Sequence, residues 1–504
     1  MCLYLLIFLP LLGGIFSWVS EKINKKLPCL VSLFFIFSMF LLTLKIFFKN
    51  RITLYKNIDL STLWDKEYCI SWISSLGVSF HLGIDGISFL MIFLTIFLSF
   101  ISILLTWNED IKKNGFFYFC MMLIISNMMG IFLSLDLFLF FIFWEIIIIP
   151  TYFLVLFYGK YNKFSLKQLN SSNSYLIYSQ LSGLILLVSI LTLVFNYYQQ
   201  YHIFTFDFNL LKNISLDKNT EIFLMIGFFL SFVIKVPLIP FHSWFPNFHK
   251  NTHISGAFDL IGIVIKIAIY SLFRFNIFLF PKMSTYYSTI FCIFGLFSIF
   301  YSLFIMFSQK NIKKIISYMS ISHMGFILIA MYSGSYIAYQ GMIIQMISSS
   351  ISTSALIILT KILYKNFKTY NLNKMIGLWK VMFYVPGFFL FFIMASLGIP
   401  GTGNFIGEFL ILLGSFKFFP IIIILSMISI IFLSFCLLNF FHKIFYGFCN
   451  TTLLVYKISI LEIFILFILA FILIFIGLYP NIILKIANQS IFNVSKRISP
   501  FILN

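Results

Sequence analysis

Acidic residues are the scarcest charged groups in this chain of 504 residues. Asp and Glu together number 15, against 34 Lys and Arg, and the four types make up only 10% of the sequence. An ordinary soluble domain is about 25% charged, so this composition excludes that class. Most of the Lys and Arg residues lie in short connections between apolar runs. The net charge of +19 therefore indicates control of membrane topology, and no nucleic-acid partner is expected.

Paired cysteines and nucleotide-binding glycine motifs are also lacking. The seven Cys are scattered without a CxxC pair, so a disulfide framework, a zinc site and an iron–sulfur site are not indicated. Neither GxGxxG nor a P-loop occurs, and these are the motifs that bind dinucleotides and nucleoside phosphates. We expect no cofactor and no metal in this chain, and any associated redox chemistry would take place elsewhere.

Apolar runs extend along the whole chain, which is 61% hydrophobic. Runs of about 20 residues are long enough to cross the roughly 30 Å hydrocarbon core of a bilayer, and a helix satisfies its own backbone polar groups there. The predicted fold class is an all-α polytopic membrane protein with about fourteen transmembrane helices. The predicted spans are 2–19, 29–48, 84–106, 116–134, 137–158, 175–197, 222–245, 254–279, 285–308, 313–333, 336–362, 383–416, 420–446 and 459–482.

The basic residues predict an orientation. Connections after odd-numbered spans hold more Lys and Arg than connections after even-numbered spans. The richer connections should face the cytoplasm or matrix, and both termini should face the opposite side. The segment 49–83 is predicted to be a long loop, and long loops follow this rule poorly.

One internal repeat is visible. GFFLSFVIKVPLIP (227–240) and GFFLFFIMASLGIP (387–400) align without gaps, with seven of fourteen positions identical. Pro237 and Pro240 in the first copy and Pro400 in the second lie within apolar runs, where proline removes a helical hydrogen bond. Chance similarity between Phe-rich spans is the alternative to a true duplication. We predict two interrupted membrane helices, a feature typical of transporters.

Ionisable side chains inside the apolar runs are the candidate functional groups. Such a residue costs about 2.5–3.5 kcal/mol at a helix centre, so it persists when it is paired, hydrated or functional. The main candidates are Glu145, Lys235, Lys266, His323 and Glu408, with Asp259 and His242 as supporting candidates. Structural ion pairs, helix caps or hydrogen bonds to backbone carbonyls are the alternative explanations. Carboxylate, ammonium and imidazole groups spaced in this way suit proton transfer through intervening water.

Two pairings follow from the residues. Glu145 has no lysine near it in its own span, so it is the natural partner of Lys235, and a change in their spacing would shift a proton. Asp259 and Lys266 are seven residues apart, two helical turns, so they should share one helix face that lines a polar interior.

Four motifs carry a family resemblance: FHLGIDGISFLMIFLT (80–95), KVPLIPFHSWFPNFH (235–249), QKNIKKIISYMSISHMGF (309–326) and ASLGIPGTGNFIGEFLILLGSF (395–416). They resemble the subunit 4 family of NADH dehydrogenase (ubiquinone), the NuoM-like antiporter-type subunits of respiratory complex I. The resemblance covers most of the chain. It implies two inverted five-helix repeats, each containing an interrupted helix. The implied division is 1–115 for the N-terminal helices, 116–280 and 281–447 for the two repeats, and 448–504 for a last helix and tail.

The resemblance implies a proton-translocating membrane-arm subunit of NADH:ubiquinone oxidoreductase, driven by quinone reduction in other subunits. It assigns Glu145, Lys235, Lys266, His323 and Glu408 to a proton relay. Glutamate at position 408 distinguishes the subunit 4 family from similar subunits, which typically carry lysine there. A free-standing Mrp-type Na⁺/H⁺ antiporter subunit and a structural membrane-arm spacer without its own pumping are the alternative functions.

The resemblance also implies what surrounds the chain. FMN, iron–sulfur clusters and ubiquinone are expected in other subunits, and the expected partners are the subunit 2-like and subunit 5-like antiporter-type chains and lipids. With 70 Phe and abundant Ile, Lys and Asn, the sequence indicates an AT-rich gene. The predicted location is the mitochondrial inner membrane, organelle-encoded, with a bacterial plasma membrane as the alternative.

The chain departs from the family pattern at one position. The family often has QMISHGLSTAAL where this chain has QMISSSISTSAL, so Ser349 stands where a histidine is expected. A serine hydroxyl with water can conduct a proton but does not store one. Any mechanism that needs an ionisable group at this position is therefore in doubt.

Overall fold

The structure is a computed structural model, and it describes residues 2–50, 64–107, 109–159, 165–253, 263–447 and 458–502. Helices dominate the first part of the chain. Their bounds are α1 Cys2–Ser20, α2 Leu27–Asn50, α3 Gly86–Thr106, α4 Asn114–Leu133, α5 Leu137–Ile146, α6 Ile148–Tyr158, α7 Leu166–Tyr201 and α8 Phe208–Leu211. α5 and α6 form one apolar segment that is interrupted at Ile147.

Helices also form most of the rest of the chain, and a π-helical segment, Leu272–Ile277, continues the helix Ile263–Ser271. Their bounds are α9 Lys218–Lys235, α10 Trp244–Asn251, α11 Ile263–Ser271, α12 Pro281–Tyr286, α13 Ser288–Ser308, α14 Ile312–Tyr332, α15 Tyr336–Phe367, α16 Val385–Ser396, α17 Gly403–Phe416, α18 Pro420–Phe445, α19 Ile460–Leu478 and α20 Asn481–Ile502.

The predicted polytopic architecture is confirmed. Within the described part of the chain, eleven helical segments are long and apolar enough to cross a membrane. The broken segments α9–α10 and α16–α17, together with α11 and its π-helical continuation, account for the other predicted spans.

Two elements outside the spans differ from the prediction. The predicted loop 49–83 contains strands β1 Lys66–Ile73 and β2 Val78–Ile84, which pair as an antiparallel hairpin. The predicted C-terminal tail is the 22-residue helix α20. Hydropathy does not reveal either element, because neither needs to cross the bilayer.

Side-chain caps fix where two membrane helices begin. At α3, Asp85 accepts a hydrogen bond from the backbone N–H of Ser88, and the Ser88 hydroxyl accepts one from the backbone N–H of Asp85. At α5, Asp136 accepts from the backbone N–H groups of Phe138 and Leu139. Such caps satisfy N–H groups that have no partner within the helix. The cap at α5 sets the register of the helix that carries Glu145.

Both predicted helix interruptions are present. α9 ends at Lys235 and α10 begins at Trp244, and the break contains Pro237 and Pro240. α16 ends at Ser396 and α17 begins at Gly403, with Pro400 in the break. In the repeat alignment, the first helices of the two copies end within one residue of each other.

The chain divides into two compact units. The first unit comprises Met1–Val236, Ile263–Tyr287 and Lys485–Asn504, and the second comprises Pro237–Gly262 and Ser288–Leu484. The chain therefore passes to the second unit inside the first helix break. The four-part division implied by the family resemblance stays a prediction.

Candidate functional site

Lys235 is the centre of a buried cluster in the first unit. Its side chain is 2% exposed. Its Nζ donates a hydrogen bond to the carbonyl oxygen of Trp144 at 3.0 Å and lies 3.8 Å from the centroid of the Trp144 ring. A cation over the face of a desolvated Trp is stabilised by about 2 kcal/mol. α5 thus supplies a carbonyl and an aromatic face that offset the free-energy cost of burying the ammonium.

Glu145 follows Trp144 directly and lies close enough to Lys235 for electrostatic interaction. The hydrogen bond of the ammonium nevertheless goes to the Trp144 carbonyl. Glu145 Oε1 is buried and accepts no hydrogen bond from the described residues. The structure therefore places the predicted pair within reach of electrostatic interaction but without an ion pair between the two side chains, and proton exchange between them stays a prediction.

α7 shapes the place where this pair lies. The Trp144 indole N–H donates to the Ser182 hydroxyl at 3.3 Å. A Cβ atom at the next residue, Gly183, would overlap Oε1 of Glu145. The carboxylate therefore occupies space that only glycine leaves open. Trp144, Ser182 and Gly183 could not be predicted from the sequence, because a backbone carbonyl and a missing side chain leave no pattern in a single sequence.

A second buried cluster lies in the second unit and joins three helices. His323 on α14, Gln345 on α15 and Glu408 on α17 are 0%, 0% and 4% exposed. His323 Nδ1 lies 3.3 Å from Glu408 Oε1. Gln345 Nε2 donates to Glu408 Oε1 at 3.0 Å and lies 3.2 Å from His323 Nδ1. The structure thus places two predicted residues in contact and adds Gln345. Its sequence signal was an amide in the apolar run IIQMIS.

Glycines allow this contact. A Cβ atom at Gly407 would lie 2.6 Å from Gln345 Oε1 and 2.9 Å from the Gln345 backbone, so the close approach of α15 and α17 depends on the missing side chain of Gly407. Gly398 has φ +71°, and a Cβ atom there would lie 2.9 Å from Glu408 Oε2. The glycine-rich break before α17 therefore leaves room for the carboxylate.

Ser349 does not take over the role of the expected histidine through a side-chain contact. Its hydroxyl donates to the backbone carbonyl of Gln345 at 2.5 Å, one turn earlier in the same helix. Asn404 Nδ2 donates to the Ala395 carbonyl at 2.8 Å, and Ala395 aligns with Lys235 in the repeat. A neutral amide therefore contacts the second break where the first break carries an ammonium.

The remaining candidates are more isolated. Lys266 on α11 is 3% exposed, and none of the residues that the structure describes forms an ion pair with it. His242 packs edge-on against Tyr301, with ring centroids 5.3 Å apart. Asp259 lies outside the described residues. Lys235 and Lys266 belong to the first unit, and His323 and Glu408 belong to the second, so a continuous relay through all four stays a prediction.

Comparison with known proteins supplies the family. The family described as NADH:quinone oxidoreductase/Mrp antiporter, TM, matches residues 134–434, which include both clusters. The chain is 46% identical over 501 residues to NADH-quinone oxidoreductase subunit M of Buchnera aphidicola subsp. Schizaphis graminum, covering 99% of this chain and 100% of that one. It is 38% identical over 494 residues to the subunit of the same name from Escherichia coli strain K12, with 97% of each chain covered.

A solved structure has a similar fold. This chain is similar to a chain of the respiratory complex I from Thermus thermophilus with bound NADH, with a TM-score of 0.85, 23% identity, and 99% of this chain and 100% of that chain covered. The family model and the relatives of 38% and 46% identity, and not the similar fold, establish which family the chain belongs to. This chain belongs to the NADH:quinone oxidoreductase and Mrp antiporter membrane family.

Proposed function

We propose that this chain is a multi-pass, proton-translocating membrane-arm subunit of a respiratory NADH:quinone oxidoreductase. The contact of His323 with Glu408 at 3.3 Å, buried among apolar helices, is the observation that carries the proposal. An imidazole and a carboxylate at this distance can exchange a proton directly. Burying ionisable side chains in an apolar interior costs free energy, so their presence there favours a functional role.

The first cluster would load and release a proton at Lys235. The Trp144 carbonyl and ring hold the protonated ammonium, and nearby Glu145 has an oxygen that accepts no hydrogen bond from the described residues. An ionised Glu145 favours a charged Lys235, and a neutral Glu145 favours release of the proton. Lys266 would take the next position in the relay, with His242 and Asp259 in supporting roles.

The energy for translocation would come from other subunits. FMN, iron–sulfur clusters and the quinone site belong there, and this chain would contact subunit 2-like and subunit 5-like antiporter-type chains. The relatives at 46% and 38% identity are bacterial. They favour a bacterial plasma membrane over the mitochondrial inner membrane.

Replacing Lys235 or Glu145 with alanine tests the proposal in the complex assembled in bacterial membranes. We expect NADH–quinone turnover and proton uptake by inverted vesicles to fall by about tenfold or more, because a proton-transfer group is lost. Lys22→Ala, at an exposed lysine, is the control and should leave both unchanged. Normal proton uptake by a fully assembled Lys235→Ala complex would contradict the relay.

The same vesicles separate the two alternatives, since the family also includes Mrp antiporters. Na⁺/H⁺ exchange without NADH would support an antiporter. Unchanged pumping in all the relay variants would support a spacer.

A further inference from the structure

Gln345 makes two contacts with one nitrogen atom. Its Nε2 lies 3.0 Å from Glu408 Oε1 and 3.2 Å from His323 Nδ1. The outer atoms of the cluster, His323 Nε2 and Gln345 Oε1, are buried and have no hydrogen-bond partner among the described residues. The amide nitrogen is therefore the junction between the imidazole and the carboxylate.

The donor and acceptor properties of these groups restrict where protons can lie. An amide nitrogen carries two hydrogens and accepts none. With one hydrogen directed to the ionised Glu408, the other is directed to His323 Nδ1, which must then accept. A neutral imidazole whose Nδ1 accepts carries its proton on Nε2. A proton on Nδ1 would instead face the amide N–H group.

Rotation of the amide does not remove this restriction while Glu408 is ionised. The rotated amide would place Oε1 against the carboxylate oxygen, and two acceptors without a hydrogen between them repel each other. Nδ1 and Glu408 Oε1, 3.3 Å apart, are also two acceptors, but in the observed orientation the amide donates to both of them and offsets their repulsion. Once Glu408 is protonated, its O–H can donate to Oε1, and the rotated amide can then accept from a protonated Nδ1. The state of Glu408 thus determines which amide orientation is favoured.

The Ser349 side chain does not take part in this junction. The Ser349 hydroxyl donates to the backbone carbonyl of Gln345, so it is already engaged within its own helix. The Gln345 side chain is then the polar group of α15 that touches both His323 and Glu408.

We infer that Gln345 is a positioning residue that holds His323 neutral, with its proton on Nε2, while Glu408 is ionised. In this state His323 accepts a proton only at Nδ1, on the side of Glu408, because Nε2 is already occupied. Passage across the ring balances when Glu408, once protonated, gives its proton to Nδ1 and the ring loses another from Nε2. Rotation of the Gln345 amide moves no ring proton itself, but it changes which of the two tautomers is favoured. This inference rests on the proposed proton translocation.

Nitrogen-15 NMR of the intact, lipid-embedded complex with labelled histidine tests the inference, with the His323 signals assigned by their loss in His323→Asn. We expect protonated Nε2 and bare Nδ1 in the wild type. In Gln345→Met the amide hydrogens are gone, so Nδ1 should be protonated and donate to Glu408. In Gln345→Glu a second carboxylate faces the ring, so both nitrogens should be protonated. Gln340→Met, on the same helix but outside the cluster, should match the wild type.

The outcomes separate this inference from the proposed function. Identical His323 signals in the wild type, Gln345→Met and Gln345→Glu would overturn the inference, even where Lys235→Ala abolishes pumping. Normal pumping in Lys235→Ala would overturn the proposed function, whatever the His323 tautomer. Since the signals are read only from assembled complex, a variant that fails to assemble is replaced by the other substitution at position 345.

Discussion

At the scale of single residues, the two clusters stabilise buried charge by different means. Lys235 lies against a carbonyl and an aromatic ring, whereas Glu408 lies against an amide and an imidazole. The charged residues could be predicted, because a charge in an apolar run is visible in the sequence. Trp144 and Gly183 could not, because their roles depend on which helices meet.

Gly183→Ala tests the fit of the Glu145 carboxylate. The added methyl group would overlap Glu145 Oε1, so the carboxylate or the helix must shift. We expect coupled proton uptake to fall by about tenfold to a hundredfold, the usual cost of a misplacement of about 1 Å. Gly387→Ala is the control, since a Cβ atom there meets nothing within 4 Å.

A compensating change makes the test more specific. Glu145→Asp shortens the acidic side chain, so the double variant Gly183→Ala, Glu145→Asp should recover part of the uptake lost in Gly183→Ala. Full activity of Gly183→Ala alone would show that the carboxylate does not need this position.

At the scale of elements, the hairpin β1–β2 is attached to two connections of the first unit. His81 Nε2 lies 3.3 Å from Glu67 Oε2 within the hairpin, and its Nδ1 lies 3.4 Å from Asp207 Oδ2 in the connection after α7. The backbone N–H of Ser79 donates to Asp136 Oδ2 at 2.8 Å. One histidine between two carboxylates therefore links the hairpin to the residues before α8.

The hairpin should be more firmly attached at low pH. Burial lowers the pKa of His81, but Asp207 and then Glu67 raise it by more, so this pKa lies above its ordinary value. A histidine whose pKa is raised in the folded state stabilises that state fully at pH values below its ordinary pKa. This stabilisation is lost as the pH rises through the raised pKa. Hydrogen exchange of residues 66–84, measured from about pH 6.5 to about pH 9 and corrected for intrinsic rates, should show protection that falls with pH.

Two comparisons identify the group responsible. His81→Asn should remove the pH dependence, whereas His202→Asn, at an exposed histidine, should retain it. The pKa of Asp65 is raised to about 6 by burial and by the charge of Asp85. The stabilisation from Asp65 therefore also falls as the pH rises, but it does so below the tested pH range. A flat profile in the wild type would contradict the role of His81.

The elements differ in how well the sequence predicts them. The spans could be located because the bilayer sets their length and apolar character, and the breaks because Pro237, Pro240 and Pro400 interrupt them. The hairpin had a weaker signal, an alternating pattern around Gly77, which adopts φ +68° at the turn. α20 mixes polar and apolar residues, so hydropathy alone did not distinguish it from a tail.

At the scale of the whole molecule, α20 completes the first unit. The Arg497 guanidinium donates to the carbonyls of Phe278, at 2.7 Å, and Lys212. A Cβ atom at Gly86 would overlap the backbone carbonyl of Ile486, so the start of α3 lies directly against α20. Ile491 is fully buried. These contacts connect residues far apart in the sequence.

A chain truncated after Leu484 should lose stability in the first unit alone. Each buried apolar side chain of α20 contributes about 1.5–3 kcal/mol, and the Arg497 contacts are lost as well. In limited proteolysis of the assembled complex, the first unit of the truncated chain should be cleaved about tenfold faster, or more, than that of the full-length chain. A loss of about 1.4 kcal/mol in the free energy of unfolding suffices for a tenfold change. Equal cleavage of both units, or of neither, would contradict this role.

The contribution of α20 has a consequence for the order in which the chain is synthesised. Residues 288–484 of the second unit leave the ribosome before residues 485–502, which the first unit still needs. The second unit can therefore finish folding while the first waits with the face of Gly86 uncovered. Closure of the first unit therefore follows translation of residues 288–484, so it indicates that this intervening segment has been made.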